Sequence, residues 1–279
     1  MEMYSSYIQA AILGLIQGFT EFLPISSTGH LVIGRDLLGW PDQGLEFDMV
    51  MHFATLFAVL IYFWSDWKEF YMALVSKSKT KSSLEHRLLL KYILIATIPA
   101  ILGALLMKDI AEGIARETVY VAAALIIVGI LFIVVEKVAR PRRNLNKVTI
   151  WDTISVGIAQ AAAVIPGVSR SGATISAGIY QGLKRDQAAK FSFLIGAPTI
   201  LMAGGYSLLH VISSPPADLD ITVLLIAFAT AFISGYIAIK FMLDFLKTHS
   251  LIPFAIYRII LGAILIGINI FHVRLPWLS

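Results

Sequence analysis

Two short polar runs interrupt a chain that is otherwise apolar, and they carry the residues able to do chemistry. The first is Gln17-Gly-Phe-Thr-Glu21, followed by Ser26, Ser27, Thr28 and His30. Gln17 and Glu21 are four residues apart, so a helix places both on one face. A carboxylate in apolar surroundings is unfavourable unless it is paired, hydrated or bound to a metal. A glutamate at a helix end near an interface would explain Glu21 alone, but two serines and a histidine within ten residues point to a constellation. For His30 taken singly, a structural hydrogen-bonding role and a catalytic one stand equal. The second run is Ser169-Arg170-Ser171-Gly172-Ala173-Thr174, behind Pro166-Gly167. An unwound glycine-containing turn that opens into a helix leaves backbone N–H groups free for an anion. Arg170 adds a planar cation suited to phosphate oxygens, and Ser169, Ser171 and Thr174 can donate hydrogen bonds. A lone arginine could simply reach for the membrane interface; this one sits among small and polar neighbours that make a pocket. An anion hole in one run and a carboxylate, hydroxyls and an imidazole in the other suit phosphoryl transfer, which needs positioning and charge neutralisation. A lone carboxylate beside an oxyanion-rich substrate also calls for a divalent cation bridging Glu21 and phosphate.

The elements that must hold these runs lie in a membrane. Of 279 residues, 58% are hydrophobic and 14% charged, the latter against roughly 25% in soluble domains. Disorder and a disulfide scaffold are excluded by the apolar content and the absence of cysteine. The net charge of +4 does not indicate nucleic acid, because basic residues beside membrane spans follow the positive-inside bias. Met1 to Ala10 has no basic n-region, so no cleavable signal peptide is expected. Six stretches have the length and apolarity of spans: Phe47–Trp64, Leu88–Met107, Thr118–Val135, Ala188–His210, Leu219–Met242 and Leu251–Phe271. Pro99, Pro198 and Pro253 within them are tolerable in a packed bundle. Ser6–Leu38 and Trp151–Leu183 differ. Each is broken by a polar run, Pro24 to His30 or Pro166 to Thr174, and reads as a re-entrant helix-turn-helix hairpin.

Charge counting supports that topology. With both hairpins re-entrant, the segments 65–91, 137–149, 184–190 and 240–250 share one side and hold sixteen of the 22 Lys and Arg. Arg35, Lys108, Arg116 and Arg274 lie opposite, and Arg170 and Arg258 at membrane depth. The richer side is cytoplasmic, which puts both termini outside. The chain also resembles itself: Phe47–Leu56 aligns with Phe191–Ile200, Pro24 matches Pro166, and Ile101–Ala104 echoes Ile260–Ala263. Each half, roughly 1–143 and 144–279 of a single membrane domain, is a hairpin plus three spans. Three is odd, so the halves are inverted. The expected fold is an all-α polytopic membrane protein: six transmembrane helices and two re-entrant hairpins in an inverted repeat, their tips meeting near the midplane.

The remaining polar residues are less telling. His52 falls within a span, facing the cavity or serving as packing or gate. Arg258 is open between a second phosphate contact and a structural ion pair. Gln160 reads as an interhelical hydrogen-bond donor, and Asp36, Asp48 and Asp152 as solvated ends. Trp64, Trp67, Trp151 and Trp277 fit an aromatic belt.

The runs Gln17–His30, Pro166–Thr174 and Pro253-Phe-Ala-Ile-Tyr-Arg258 together resemble the undecaprenyl-pyrophosphate phosphatases, also called bacitracin-resistance proteins, along essentially the whole chain. The resemblance implies a plasma-membrane enzyme that converts a polyprenyl diphosphate to its monophosphate and recycles the lipid carrier of cell-wall glycans. It further implies a site toward the outer face, membrane lipids around it, and Mg²⁺ or Ca²⁺; a homodimer stays open. The family writes its first motif with Glu or Gln, three residues, then Glu. Here that first residue is Gln17, which cannot ionise, leaving Glu21 to hold the metal or orient the nucleophile. On this reading Ser27 attacks phosphorus, with His30 or Glu21 taking its proton; the rival is His30 as nucleophile with Ser27 as ligand. Arg170, Ser169, Ser171, Thr174 and backbone N–H groups hold the transferring group, and Gln17, Ser26, Thr28, Gly167, Gly172 and Arg258 complete the substrate contacts. A polyprenyl-phosphate flippase using the inverted repeat for alternating access is the competing class.

Overall fold

The computed structural model describes residues 2–76, 80–113, 117–213 and 220–270. Among them are eleven α-helices and no strand: α1 (Glu2–Phe22), α2 (Ser27–Leu38), α3 (Leu45–Tyr62), α4 (Trp64–Val75), α5 (Lys81–Glu112), α6 (Thr118–Val138), α7 (Ile150–Ala162), α8 (Arg170–Tyr180), α9 (Arg185–Ser213), α10 (Ile221–Phe245) and α11 (Ile252–Ile270). By length and composition α6, α10, α11 and the Lys81–Met107 part of α5 can each cross a membrane, and the α3–α4 pair, bent by 72°, counts as a fifth. The chain is thus an all-helical, multi-pass membrane protein. Arg116, Arg274 and Trp277 lie outside the described residues.

Both interrupted segments are helix, break, helix, but with shifted limits. The first break is short, residues 23–26, because Ser27 to His30 already form the first turn of α2. The second is longer and begins earlier, at residues 163–169. In both, the residue before the second helix is a serine with positive φ, Ser26 at 79° and Ser169 at 75°. Each serine hydroxyl accepts the N–H of the glycine three residues on, Gly29 or Gly172, satisfying an orphan donor of the new helix. The segment 65–91, expected as a loop, contains α4 and the start of α5. Neither proline nor glycine marks the bend. Beside the bend lies Lys190 of α9, its Nζ 2.6 Å from Asp66 and 5.8 Å from the Phe63 ring centre.

Small residues let the main helices approach closely, as membrane interfaces require. α1 packs on α10 through Gly14 and Gly18: a Cβ at Gly14 would come within 2.6 Å of the Ala227 carbonyl oxygen. α7 packs on α5 through Gly157, where a Cβ would meet the Ala96 oxygen at 3.0 Å. α6 lies along α11 and α3 along α9. Elements of one half therefore rest on elements of the other, with aromatic residues such as Phe22, Phe132, Phe191 and Phe193 fully buried where they meet. The echo between Ile101–Ala104 and Ile260–Ala263 does not follow this order. It falls on α5 and α11.

One end of the bundle is tied by ion pairs. Glu136 receives Arg185 at 2.5 Å and the Leu251 N–H at 2.8 Å. Arg143 binds Asp152 at 2.8 Å and the carbonyl of Gln181. Asp152 is not a solvated end: it is 2% exposed and closes a capping box with Thr149 at the start of α7. Asp48, also expected in solvent, forms a bidentate pair with the buried Arg35.

Candidate active site

Glu21 is the last polar residue of α1 before the first break, and the fold turns it inward to 6% exposure. Its neutralisation comes from the other half of the chain. Arg170 Nη2, in the first residue of α8, donates to Glu21 Oε1 at 2.9 Å, and Arg170 Nη1 donates to the Ser192 carbonyl on α9 at 3.2 Å. The second carboxylate oxygen, Oε2, accepts Ser27 Oγ at 2.8 Å and Gln17 Nε2 at 3.1 Å. His52 Nε2 stands 3.7 Å from the same oxygen, while His52 Nδ1–H donates to the Asp48 carbonyl at 2.8 Å. A buried acid is thus surrounded by a guanidinium, a hydroxyl, an amide and an imidazole.

These groups line a cavity of about 340 Å³. Of the residues singled out in the sequence, Glu21, Ser26, Ser27, Thr28, Gly167, Ser169 and Arg170 form its wall. His52, which the sequence left open, lines it too; Met49, Thr199 and Ile200 join from α3 and α9 without any sequence signal. Arg170 Nε is buried with no hydrogen-bond partner, an available donor on the cation that faces the cavity.

The other expected residues stand behind the wall and hold it. Gln17 is fully buried. Ser171 Oγ donates to the Leu23 carbonyl at 3.1 Å, tying α8 to the first break. Thr174 Oγ1 bonds the Arg170 carbonyl at 2.8 Å and Ser192 Oγ at 2.6 Å. Gly172 has no room for a side chain, since a Cβ would lie 2.7 Å from Phe132. His30 is engaged at both nitrogens: Nδ1–H donates to the Ser26 carbonyl at 2.8 Å, and Nε2 accepts the Tyr257 hydroxyl at 2.6 Å.

Arg258 is neither in the cavity wall nor ion-paired among the described residues. It is 0% exposed, and its guanidinium donates to four carbonyls: Pro24 at 3.1 Å, Gly167 at 2.6 Å, Val168 at 3.1 Å and Leu125 at 3.4 Å. It also lies 5.3 Å from the Phe132 ring centre, a cation–π distance. One side chain from α11 thereby staples the two breaks to each other. Gln160, as the sequence suggested, is an interhelical donor, its Nε2 3.2 Å from the Ala96 carbonyl of α5.

Among the described residues no three His, Asp or Glu side chains come together to cage a metal ion. The oxygen donors at the polar end of the cavity wall are the Glu21 carboxylate and the hydroxyls of Ser26, Ser27, Thr28 and Ser169. Such a set fits a hard divalent cation that takes its other ligands from water and a bound phosphate.

A family described as bacitracin resistance protein BacA matches residues 10–264. An undecaprenyl-diphosphatase of Teredinibacter turnerae is 40% identical over 258 residues, 92% of this chain and 97% of its own. One from Alteromonas mediterranea is 41% identical over 255 residues (91% and 96%), and one from Moorella thermoacetica 39% over 261 (94% and 97%). With near-complete coverage on both sides, the chain belongs to the bacitracin resistance protein BacA family.

Proposed function

We propose that this protein is an integral membrane phosphatase that hydrolyses undecaprenyl diphosphate to the monophosphate and inorganic phosphate, recycling the lipid carrier for cell-wall glycan synthesis and contributing to bacitracin resistance. One observation carries the chemistry: Ser27 Oγ lies 2.8 Å from a buried carboxylate that is itself paired across the two breaks with Arg170. Ser27 attacks the terminal phosphorus. An Oγ–P bond forms, the bridging P–O bond breaks, the lipid monophosphate leaves and the hydroxyl proton passes to Glu21. Water then cleaves the phosphoserine and releases phosphate. Glu21 is favoured as base over His30 because Ser27 already donates to it, whereas both nitrogens of His30 are taken. That engagement likewise favours Ser27 as nucleophile. Arg170, with its unpartnered Nε–H, and the N–H groups opening α2 and α8 bind the phosphoryl oxygens where charge develops. Mg²⁺ or Ca²⁺, held by Glu21 and the substrate, would supply further charge neutralisation.

The membrane arrangement follows from charge and packing. Six spans, α3, α5, α6, α9, α10 and α11, flank two re-entrant hairpins, α1–α2 and α7–α8. The packing of α1 on α10 and of α7 on α5 exchanges equivalent elements between halves, which supports an inverted repeat. The basic segments gather at the end tied by Glu136, Asp152 and Lys190, the cytoplasmic face of the plasma membrane. The termini and the mouth of the site are then outside, where the spent diphosphate carrier appears.

Phosphate release by the purified protein from undecaprenyl or farnesyl diphosphate in detergent, with Mg²⁺ or Ca²⁺, tests the assignment. Release should be rapid in the native protein and at least a thousandfold slower in Ser27→Ala. Substantial turnover in that variant would overturn Ser27 as nucleophile, and no release by the native protein would favour transport without hydrolysis.

A further inference from the structure

The run Pro253-Phe-Ala-Ile-Tyr-Arg258 sets two polar side chains next to each other on the apolar helix α11, and the staple between the breaks uses only Arg258. Tyr257 stands on the exposed stripe of that helix with Ile256, Ile260 and Ile264. A phenol among lipid-facing residues needs a hydrogen-bond partner within the protein, because hydrocarbon offers none. Its partner is His30 of α2. The hydroxyl lies 2.6 Å from Nε2, and the two rings stack with centroids 5.6 Å apart and planes inclined by 17°. Ser26, Ser27 and Thr28 line the cavity; the His30 ring, two residues on, meets α11 instead.

The partners fix the hydrogens. Nδ1 is 2.8 Å from the Ser26 carbonyl oxygen, which can only accept, so Nδ1 carries the hydrogen. Nε2 of the neutral ring is then a lone pair, and the Tyr257 hydroxyl donates to it. The Ser26 carbonyl receives both the His30 ring and the His30 backbone N–H, the latter at 3.1 Å. Ser26 has φ 79°, a left-handed backbone that side chains seldom adopt, and these two bonds help to hold it there. Arg258 takes the Pro24 carbonyl at 3.1 Å. Consecutive residues of α11 therefore fix both ends of the turn 24–26, Arg258 directly and Tyr257 through His30. Ser27, with its Oγ 2.8 Å from Glu21, is the next residue.

We propose that Tyr257 is a positioning residue: its hydroxyl fixes the tautomer and ring plane of His30, and His30 in turn sets the Ser26 carbonyl and, through it, the Ser27 hydroxyl against Glu21. This role rests on the phosphatase reading with Ser27 as nucleophile, and it gives His30 the support of that serine. Without the Tyr257 hydroxyl the imidazole is free to turn or to exchange tautomer, which releases Ser26. A small displacement of Ser27 then weakens in-line attack. The hold of Arg170 on the phosphoryl group, which belongs to the other break, stays in place.

The test measures kcat and KM for farnesyl diphosphate with Mg²⁺ in Tyr257→Phe, which keeps the stacked ring and removes only the hydroxyl. Binding of the non-hydrolysable, methylene-bridged analogue of farnesyl diphosphate is measured beside it. In Tyr257→Phe kcat should fall by about tenfold or more, while KM and the analogue's affinity stay within twofold of native. His30→Asn keeps an N–H donor near the Nδ1 position but does not reach Tyr257. It should therefore be faster than His30→Ala, and adding Tyr257→Phe to it should change kcat by less than twofold. Ile256→Ala, on the same exposed stripe, should leave both constants within twofold of native. A native kcat in Tyr257→Phe, a raised KM with kcat preserved, or a full further loss on adding Tyr257→Phe to His30→Asn would overturn the role of Tyr257 while leaving the phosphatase reading intact. Equal kcat in His30→Asn and His30→Ala would overturn the route through Ser26. Absence of phosphate release by the native protein would overturn the phosphatase reading, and the role of Tyr257 with it.

Discussion

The two breaks are built alike at the backbone and differ in what they carry. Each ends in a serine at positive φ whose hydroxyl caps the next helix through a glycine three residues on. Each follows a helix with a buried glutamine about two turns before the cap, Gln17 in α1 and Gln160 in α7. After the capping serine the chemistry divides: the first break presents Ser27 beside Glu21, and the second presents Arg170. Gln17 accordingly turns its amide to Glu21, whereas Gln160 uses the same group to bridge to α5. A backbone device that opens a helix N-terminus is present twice, while Glu21 and Ser27 sit at one break and Arg170 at the other. Neither copy is a site alone, and the Glu21–Arg170 pair is where they join.

Breaking that joint should have the largest effect. Arg170→Gln leaves Glu21 charged and unpaired at 6% exposure, which costs about 3–5 kcal/mol of stability, and activity should fall by about three orders of magnitude. The double variant Glu21→Gln with Arg170→Gln should regain most of the stability and none of the activity, as read by thermal unfolding in detergent beside phosphate release. Recovery of activity together with stability would mean that the pair is structural and the chemistry lies elsewhere.

The staple between the breaks comes next. Arg258→Lys keeps the charge but cannot reach Pro24, Gly167, Val168 and Leu125 together. Each carbonyl left without a donor costs about 1–3 kcal/mol, so a loss of a few kcal/mol is expected. Displacing Ser27 relative to Arg170 should also lower kcat by about a hundredfold with little change in KM, because small misplacements weaken transition-state contacts most. A parallel rise in KM with kcat preserved would instead place Arg258 in substrate binding.

This residue also shows where sequence reasoning stops. Glu21, Ser27 and Arg170 were legible because charged and nucleophilic groups are costly at membrane depth, and Pro, Gly and Ser mark the breaks that tolerate them. The helices were legible from apolar length. Arg258 stayed open between a phosphate contact and an ion pair because its partners are main-chain carbonyls 91 and 234 residues away, which no side-chain pattern announces. His52 was ambiguous for a related reason: only the packing of α3 against α1 brings it to 3.7 Å from Glu21. The α3–α4 bend left no mark at Phe63, where neither proline nor glycine stands. The solvated reading of Asp48 and Asp152 failed because each meets an arginine from another segment, Arg35 in the last turn of α2 and Arg143 in the connection before α7.

The smallest effects should come from the capping serines, and they examine the likeness of the breaks most directly. Ser26→Ala and Ser169→Ala each remove a cap and keep the strained φ, so each should cost about 1 kcal/mol. Ser26→Gly and Ser169→Gly lose the cap as well but relieve the left-handed backbone, and glycine caps cost only a few tenths of a kcal/mol. The glycine variants should therefore be more stable than the alanine variants by about 1 kcal/mol, and by the same amount at both positions. Activity should separate them. Loosening Ser26 should move Ser27, the proposed nucleophile, and lower kcat, while loosening Ser169 should move Arg170, proposed to hold the phosphoryl group, and raise KM. Equal stability changes with unequal kinetic ones are what two copies of one scaffold carrying different chemistry must give. Unequal stability changes would show that the matching φ values conceal two different solutions to ending a helix inside the membrane.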